Sequence, residues 1–308
     1  MYDFKRIVVG LELNGDGDGI SMGSHKALQQ AIWVAKANQG SLHLMHSTFN
    51  DEMHSPLRGH GEVVHVGLSD AARAALEACV AEAENSGIQA ELSVTEDRVS
   101  VDLIRVALRS EAELVIVGKR NEPAEDGRRL GSVAVKLLRK CPTPVWVVRP
   151  EHDLVHGLVL AASDLTEVGD EAVRCAGYVA GRHSCDLHVV HAWQMPMSLQ
   201  LEASRMSDEE LDERMDAIRT ECQDHIKKSL STYEGDKEAT VHVSKGSPAQ
   251  TIREAVSHLD PDLLVMGTVS RAGVAGLLLG STAERMLDQV DCSILTVKPK
   301  DFVSPITL

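Results

Sequence analysis

The sequence predicts an α/β protein built as two tandem doubly wound domains, each a five-stranded parallel sheet flanked by helices. Three observations carry that prediction. First, the chain of 308 residues reads the same way twice. Residues 118–150 (GKRNEPAEDGRRLGSVAVKLLRKCPTPVWVVRP) lie over 267–299 (GTVSRAGVAGLLLGSTAERMLDQVDCSILTVKP) at an offset of 149, without a gap. Gly118, Gly127, Gly131, Ser132 and Pro150 face Gly267, Gly276, Gly280, Ser281 and Pro299. An upstream set, Ala27-Leu28, Ala31, Val34-Ala35 and Leu42-His43, returns as Ala172-Val173, Ala176, Val179-Ala180 and Leu187-His188. A period of that length is the size of a domain and far too long for a solenoid repeat. Second, each copy alternates short apolar runs with amphipathic stretches, the pattern of strands joined by right-handed helical crossovers. Third, runs such as IVVGL and VIVG are apolar on both faces, as strands covered by helices on both sides must be.

In the first copy the strands are expected at 6–11, 42–47, 90–95, 113–118 and 144–149, with amphipathic stretches near 24–38, 67–86, 99–110 and 131–140. The second copy places strands at 158–163, 187–192, 239–244, 262–267 and 293–298. The domains are 1–150 and 151–308, divided in PEHDLVH (150–156), a short charged linker that begins with proline. A long charge-rich helix is expected over 207–231, with Ser207 as its N-cap and Glu210 at the capping-box spacing. Its charges read as a solvated face.

Composition narrows the function classes. Hydrophobic residues make up 43% of the chain but aromatics only 3%, so two cores must be built from Ala, Val, Leu and Ile. A net charge of −15 argues against sequence-independent nucleic-acid binding and against anionic membrane surfaces, both of which need a basic face. No apolar run approaches a membrane span, and the start MYDFKRIVVG reads as a strand rather than a signal peptide. Cysteines at 79, 141, 175, 185, 222 and 292 form no CxxC pair and are expected to be reduced, mostly buried thiols in a cytoplasmic protein.

In open α/β sheets a ligand sits beyond the carboxyl ends of the strands, where the strand order reverses. Three segments of the second copy should converge there: Ala162-Ser163-Asp164, His191-Ala192, and the loop that begins Met266-Gly267 and runs through Ser270 and Arg271 to Gly280-Ser281-Thr282. That loop suits a phosphate. Gly267, Gly273, Gly276 and Gly280 let the backbone approach closely. Gly280-Ser281-Thr282 opens a helix whose free N–H groups and positive dipole end favour an anion. Ser281 and Thr282 add hydroxyls, Arg271 a guanidinium, and Asp164 an acceptor for ribose hydroxyls. Tight turns use glycine anyway, so packing alone stays open as an account of the loop.

The arrangement G-x2-G-x9-G-[ST], after a strand ending in Met-Gly and before a helix of type GS-x-AE, resembles the universal stress protein family. Here it reads Gly267-Thr-Val-Ser270, nine residues, Gly280-Ser281. Asp164, the LHVVH strand ending in His191, and SKGSPAQTIREA (244–255) add to the resemblance, which covers essentially the whole chain as a tandem two-domain member. It implies a Rossmann-like, adenine-nucleotide-binding fold, ATP with Mg2+ as the ligand at one per chain, and a stress-response role. Adenine and ribose contacts would come from Ala162, Ser163, Asp164 and the Ala192 backbone. Phosphate contacts would come from Gly267, next to Met266, and from Ser270, Arg271, Gly280, Ser281 and Thr282. Ser270 departs from the motif, because the family's middle glycine is expected there.

The first copy departs further: Asn121 replaces the middle glycine, Glu122, Pro123, Glu125 and Asp126 line the loop, and Glu12 with LNGDGDG replaces the strand-end aspartate. Lys119, Arg120, Arg128 and Arg129 partly offset those acids. This half is expected to have lost tight ATP binding and to serve as a structural or regulatory partner. The pairs His43/His46 and His188/His191 look like metal ligands, but residues three apart on a strand point to opposite faces, so neither pair chelates one ion. His54, His60 and His65 read as a solvated loop. There is no G-x-S-x-G elbow, no CxxC redox pair and no Walker A lysine before Ser281, so efficient catalysis is not implied. The alternative to a nucleotide sensor is a scaffold, or a module for another small ligand, apolar or acyl in character. The two domains are expected to form an intramolecular pseudo-dimer, the apolar edges at 144–149 and 293–298 meeting and the tail KPKDFVSPITL covering or extending that interface. Further association into a homodimer stays open.

Overall fold

The computed structural model describes residues 2–49, 67–119, 131–149, 157–195, 197–203, 205–268 and 280–308. The linker 150–156, the loop histidines 54, 60 and 65, the acids 122–126, Ser270 and Arg271 lie outside the described residues. Two compact units divide the chain. The first holds the described residues up to 149 together with Phe302–Leu308, and the second those from 157 to Asp301.

The first unit runs β1 (Arg6–Leu11), α1 (Met22–Asn38), β2 (Ser41–Ser47), α2 (Asp70–Asn85), β3 (Ala90–Thr95), α3 (Val99–Arg109), β4 (Leu114–Gly118), α4 (Ser132–Lys140) and β5 (Val145–Val148). Its strands are parallel in the order β3-β2-β1-β4-β5. The second unit runs β6 (Leu158–Ser163), α5 (Glu167–His183), β7 (Asp186–Trp193), α6 (Met197–Ala203), α7 (Asp208–Ser229), β8 (Thr240–Lys245), α8 (Pro248–Leu259), β9 (Leu263–Gly267), α9 (Ser281–Gln289) and β10 (Ser293–Val297). Its order is β8-β7-β6-β9-β10, again parallel, so the two units share one topology. Every predicted strand is present to within one residue at each end. Helix α6 is an addition that no periodicity in the sequence announced.

The central strands are buried on both faces, as their unbroken apolar runs require. Val8, Val9, Leu44, Val115 and Ile116 in the first unit, and Val159, Leu160, Leu264 and Val265 in the second, are fully excluded from solvent. Each such side chain contributes about 1.5–3 kcal/mol of transfer free energy, set against the entropy of ordering the chain. Helices start where the sequence supplies a capping oxygen. Ser69 accepts from the Ala72 amide at 3.1 Å and Thr166 from that of Gly169 at 3.2 Å. Ser207 and Glu210 form the full capping box, and its hydrogen bonds hold the Glu210 carboxyl below the usual carboxylate range. Helices α1 and α5 both end on a left-handed residue, Gln39 and Ser184, at the same place in the repeat. The C-terminal tail packs on the first unit, where Ser304 Oγ donates to the Lys140 carbonyl at 2.9 Å and Arg105 Nε to that of Thr307 at 3.4 Å.

Two glycines are required by close approach. A Cβ on Gly118, at the end of β4, would fall 2.7 Å from Gly23 Cα and closer still to the Gly23 carbonyl. Reciprocally, a Cβ on Gly23 would lie 2.6 Å from the Lys119 carbonyl oxygen. The first turn of α1 therefore rests backbone on backbone against the end of β4. In the second unit Val168 holds the corresponding place, and a Cβ on Gly267 would meet Val168 Cγ1 at 2.7 Å. Backbone cannot yield as a side chain can. Gly118→Ala is therefore expected to cost about 2–3 kcal/mol and Gly267→Ala about 1 kcal/mol, read as the shift in urea unfolding; equal costs would contradict this packing.

Candidate functional site

The register of the second sheet builds the crevice. Strand β6 lies between β7 and β9, with Ser163 opposite His191 and Ala162 opposite Met266, so the carboxyl ends of the three strands come level. The chain leaves β6 toward β7 and β8 on one side and returns as β9 on the other, which makes this end the point where strand order reverses. Ala162, Ser163 and Met266 are buried, Ala192 is half-buried, and Asp164 stands exposed just past the strand. The predicted adenine and ribose residues are thus brought together.

Their local bonding explains how they are held. Ser163 Oγ accepts from the Leu165 amide at 3.1 Å, and Leu165 takes a left-handed φ of 58°. Asp164 Oδ1 accepts from the Thr166 amide at 3.1 Å and from its hydroxyl at 2.5 Å. Thr166 in turn caps α5, so the carboxylate is anchored at the crevice rim by its own chain. Beneath it, His191 Nδ1–H donates to the Ser163 carbonyl at 2.9 Å, and His46 makes the same bond to the Leu11 carbonyl at 3.0 Å in the first unit. Both rings are buried. They satisfy the last carbonyl of each central strand where the chain turns out of the ladder, the shared hydrogen-bonding role their repetition suggested.

The predicted phosphate loop is described only at its two ends. Thr268 is fully buried, its amide and hydroxyl donate to the Val297 carbonyl at 3.2 and 3.3 Å, and its own carbonyl accepts from the Gly280 amide at 2.7 Å. Those bonds bring the start of α9 against the end of β9. Gly280, at the N-cap, has no side chain to offer the first-turn amides of Ser281 and Thr282. Glu284, also in the first turn, complements the helix dipole and opposes an incoming anion.

Lys245 is a residue the sequence did not single out. It ends β8 opposite Trp193 and lines, with Gln194, Met195, Gly246 and Ser247, an open cleft of about 400 Å3 beside Ala192. Only the register of two strands separated by more than forty residues reveals it.

The first unit has a different rim. Glu12 is exposed and its amide donates to Ser24 Oγ at 2.7 Å. The following loop closes on itself through a Leu13–Ile20 bridge, with Asn14 Oδ1 accepting from the Asp18 and Gly19 amides at 3.2 and 3.4 Å. Lys119 is buried at the end of β4, where the second unit has Thr268. Gly131 starts α4, also without a side-chain cap.

All six cysteines are buried and none forms a disulfide. Burial pushes the Cys79 and Cys185 thiols up to about 11, which makes them poor nucleophiles. Among the described residues no three His, Cys, Asp or Glu side chains are grouped to hold a metal, and no helix is long and apolar enough to cross a membrane. Replacing His191 with Phe leaves the Ser163 carbonyl without its imidazole donor. The expected loss is about 1–3 kcal/mol in chemical denaturation; an unchanged midpoint would remove this bond from the account of the crevice.

The universal stress protein family matches the chain twice, over residues 3–149 and 158–298. Universal stress protein E of Escherichia coli strain K12 is 31% identical over 186 residues, 56% of each chain. A universal stress protein E homolog of Haemophilus influenzae is 28% identical over 173 residues, 53% of this chain and 55% of that one. The chain therefore spans little more than half the length of these curated relatives in the matched region. Among solved structures, a functionally unknown protein from Pseudomonas aeruginosa PAO1 has a TM-score of 0.67 at 23% identity, covering 97% of this chain and 94% of that one. A universal stress protein from Archaeoglobus fulgidus DSM 4304 has a TM-score of 0.65 at 19% identity, covering 96% and 99%. At these identities the structural likeness shows the fold alone. With both halves matched, the chain belongs to the universal stress protein family of stress-response proteins, as a tandem two-domain member.

Proposed function

We propose that this protein is an adenine-nucleotide sensor of the stress response that takes ATP, with Mg2+, in the crevice of its second unit and does not turn it over efficiently. One observation carries the reading: the Thr268–Gly280 bond sets the start of α9, with a glycine at its N-cap, at the end of β9, one strand from Asp164. A helix start of this kind offers N–H donors and a positive dipole end to a phosphate. Ala162, Ser163, Asp164 and the Ala192 backbone would then take adenine and ribose. Gly267, Gly280, Ser281 and Thr282 would take the phosphates, joined by Ser270 and Arg271 from the loop. Lys245 adds a cation at the open side of the crevice. The buried thiols, all outside disulfides, support a cytoplasmic setting.

Calorimetric titration of the stripped chain with ATP and Mg2+ tests the proposal, with one site per chain expected. Ser281→Ala should weaken binding roughly ten- to a hundredfold, the worth of one charge-assisted hydrogen bond. Asp164→Ala should weaken it as well while shifting stability by less than about 1 kcal/mol, since the carboxylate is exposed. No heat on titration, or an unchanged affinity in Ser281→Ala, would overturn the assignment.

A second reading rests on Gly267. Its missing side chain is already required by Val168, and Gly118 is required in the same way by Gly23, so both glycines suit packing without any phosphate. That favours a scaffold, or a module for an apolar or acyl ligand. Mass spectrometry of ligand released from purified protein separates the two: a nucleotide supports the sensor, an acyl compound the alternative.

A further inference from the structure

Neither the crevice nor the core accounts for a pair of imidazoles on the second sheet. His188 of β7 lies opposite Thr240, and His242 follows two residues on, so parallel strands 54 residues apart in sequence place both rings on one face. His188 Nδ1 and His242 Nε2 share a hydrogen bond at 2.9 Å, with ring centroids 5.0 Å apart and planes tilted by 31°. Strand β8 ends this unit's sheet, so His242 has a neighbouring strand on one side only.

We propose that His188 and His242 form a two-nitrogen chelating site for a divalent transition metal of the zinc, copper or nickel kind, four residues before Ala192 on β7. Imidazole nitrogens bind such ions at about 2.0–2.1 Å, so two of them at an angle between square and tetrahedral stand about 2.9–3.4 Å apart. The observed separation falls in that range; the ladder sets the two rings side by side, and the proton they share in the hydrogen bond is the one a metal would displace. Burial lowers the proton affinity of both rings, which favours the neutral form that ligates. His258 bears on the charge of His242 and Asp186 on that of His188, but the Asp186 carboxylate is held by Lys237 at 2.7 Å. Among the described residues no third side chain is grouped with the pair, so water completes the coordination, and the site is weaker than a four-ligand structural centre. Nitrogen donors also separate it from the oxygen-seeking Mg2+ of a nucleotide. In the first unit the equivalent His43 meets Ser93 Oγ at 2.7 Å and Glu91 Oε1 at 2.6 Å, oxygens in place of a second imidazole.

The test is titration of the full chain with Cu2+ at pH 7, read by electron paramagnetic resonance. The expected result is a first-filled site showing coupling to two nitrogens, its affinity falling tenfold or more in both His188→Gln and His242→Gln and staying unchanged in His43→Gln. A first-filled site indifferent to both substitutions overturns the proposal. Should either variant fail to fold, diethylpyrocarbonate labelling of the unaltered chain with and without one equivalent of Zn2+ decides. Protection at His188 and His242 supports the site, and protection confined to other histidines refutes it.

Discussion

The carboxyl end of each sheet depends on how closely the first helix of the unit lies against the fourth strand. In the first unit that contact is Gly23 on Gly118, backbone to backbone, and in the second it is Val168 on Gly267. The approach fixes where α1 and α5 begin, and so where Ser21 and Thr166 cap them. It thereby fixes where Glu12 and Asp164 stand on the rim. Nothing at the crevice can be placed until that helix is seated. The contact also divides the halves: the tighter one accompanies the self-closed loop at Leu13–Ile20, the looser one the open rim that carries Asp164.

A second layer of order sits beneath the rim. The buried histidines at 46 and 191 each satisfy the carbonyl at which a central strand stops. Asp170 near the start of α5 receives hydrogen bonds from His225 at 2.9 Å and Ser229 at 2.8 Å, tying the long charged helix α7 to the helix that carries Thr166. A helix that reads as solvated in the sequence therefore has one face committed to holding the crevice wall.

How much of this was legible in the sequence varies with the range of the interaction. Strands such as RIVVGL and LVLAAS were legible because apolar runs buried on both faces announce themselves locally, and the Ser207–Glu210 box because its partners are three residues apart. The start of α9 at Gly280 was legible from the repeat. Helix α6 was not, because Met197–Ala203 is too short to show a period. Lys245, the His188–His242 pair and the Val168–Gly267 contact were hidden for one common reason. Each depends on the register of strands, or the seating of a helix, between residues more than forty positions apart, and no local pattern encodes that.

The proposed nucleotide crevice lies at the carboxyl ends of β6, β7 and β9. The most direct measurement is amide NMR of the labelled chain with and without ATP and Mg2+. Shifts are expected at Gly280, Ser281, Thr282 and Ala192, with the equivalent first-unit amides of Gly131 and Ser132 unmoved. Shifts confined to the first unit, or none in either, would contradict it.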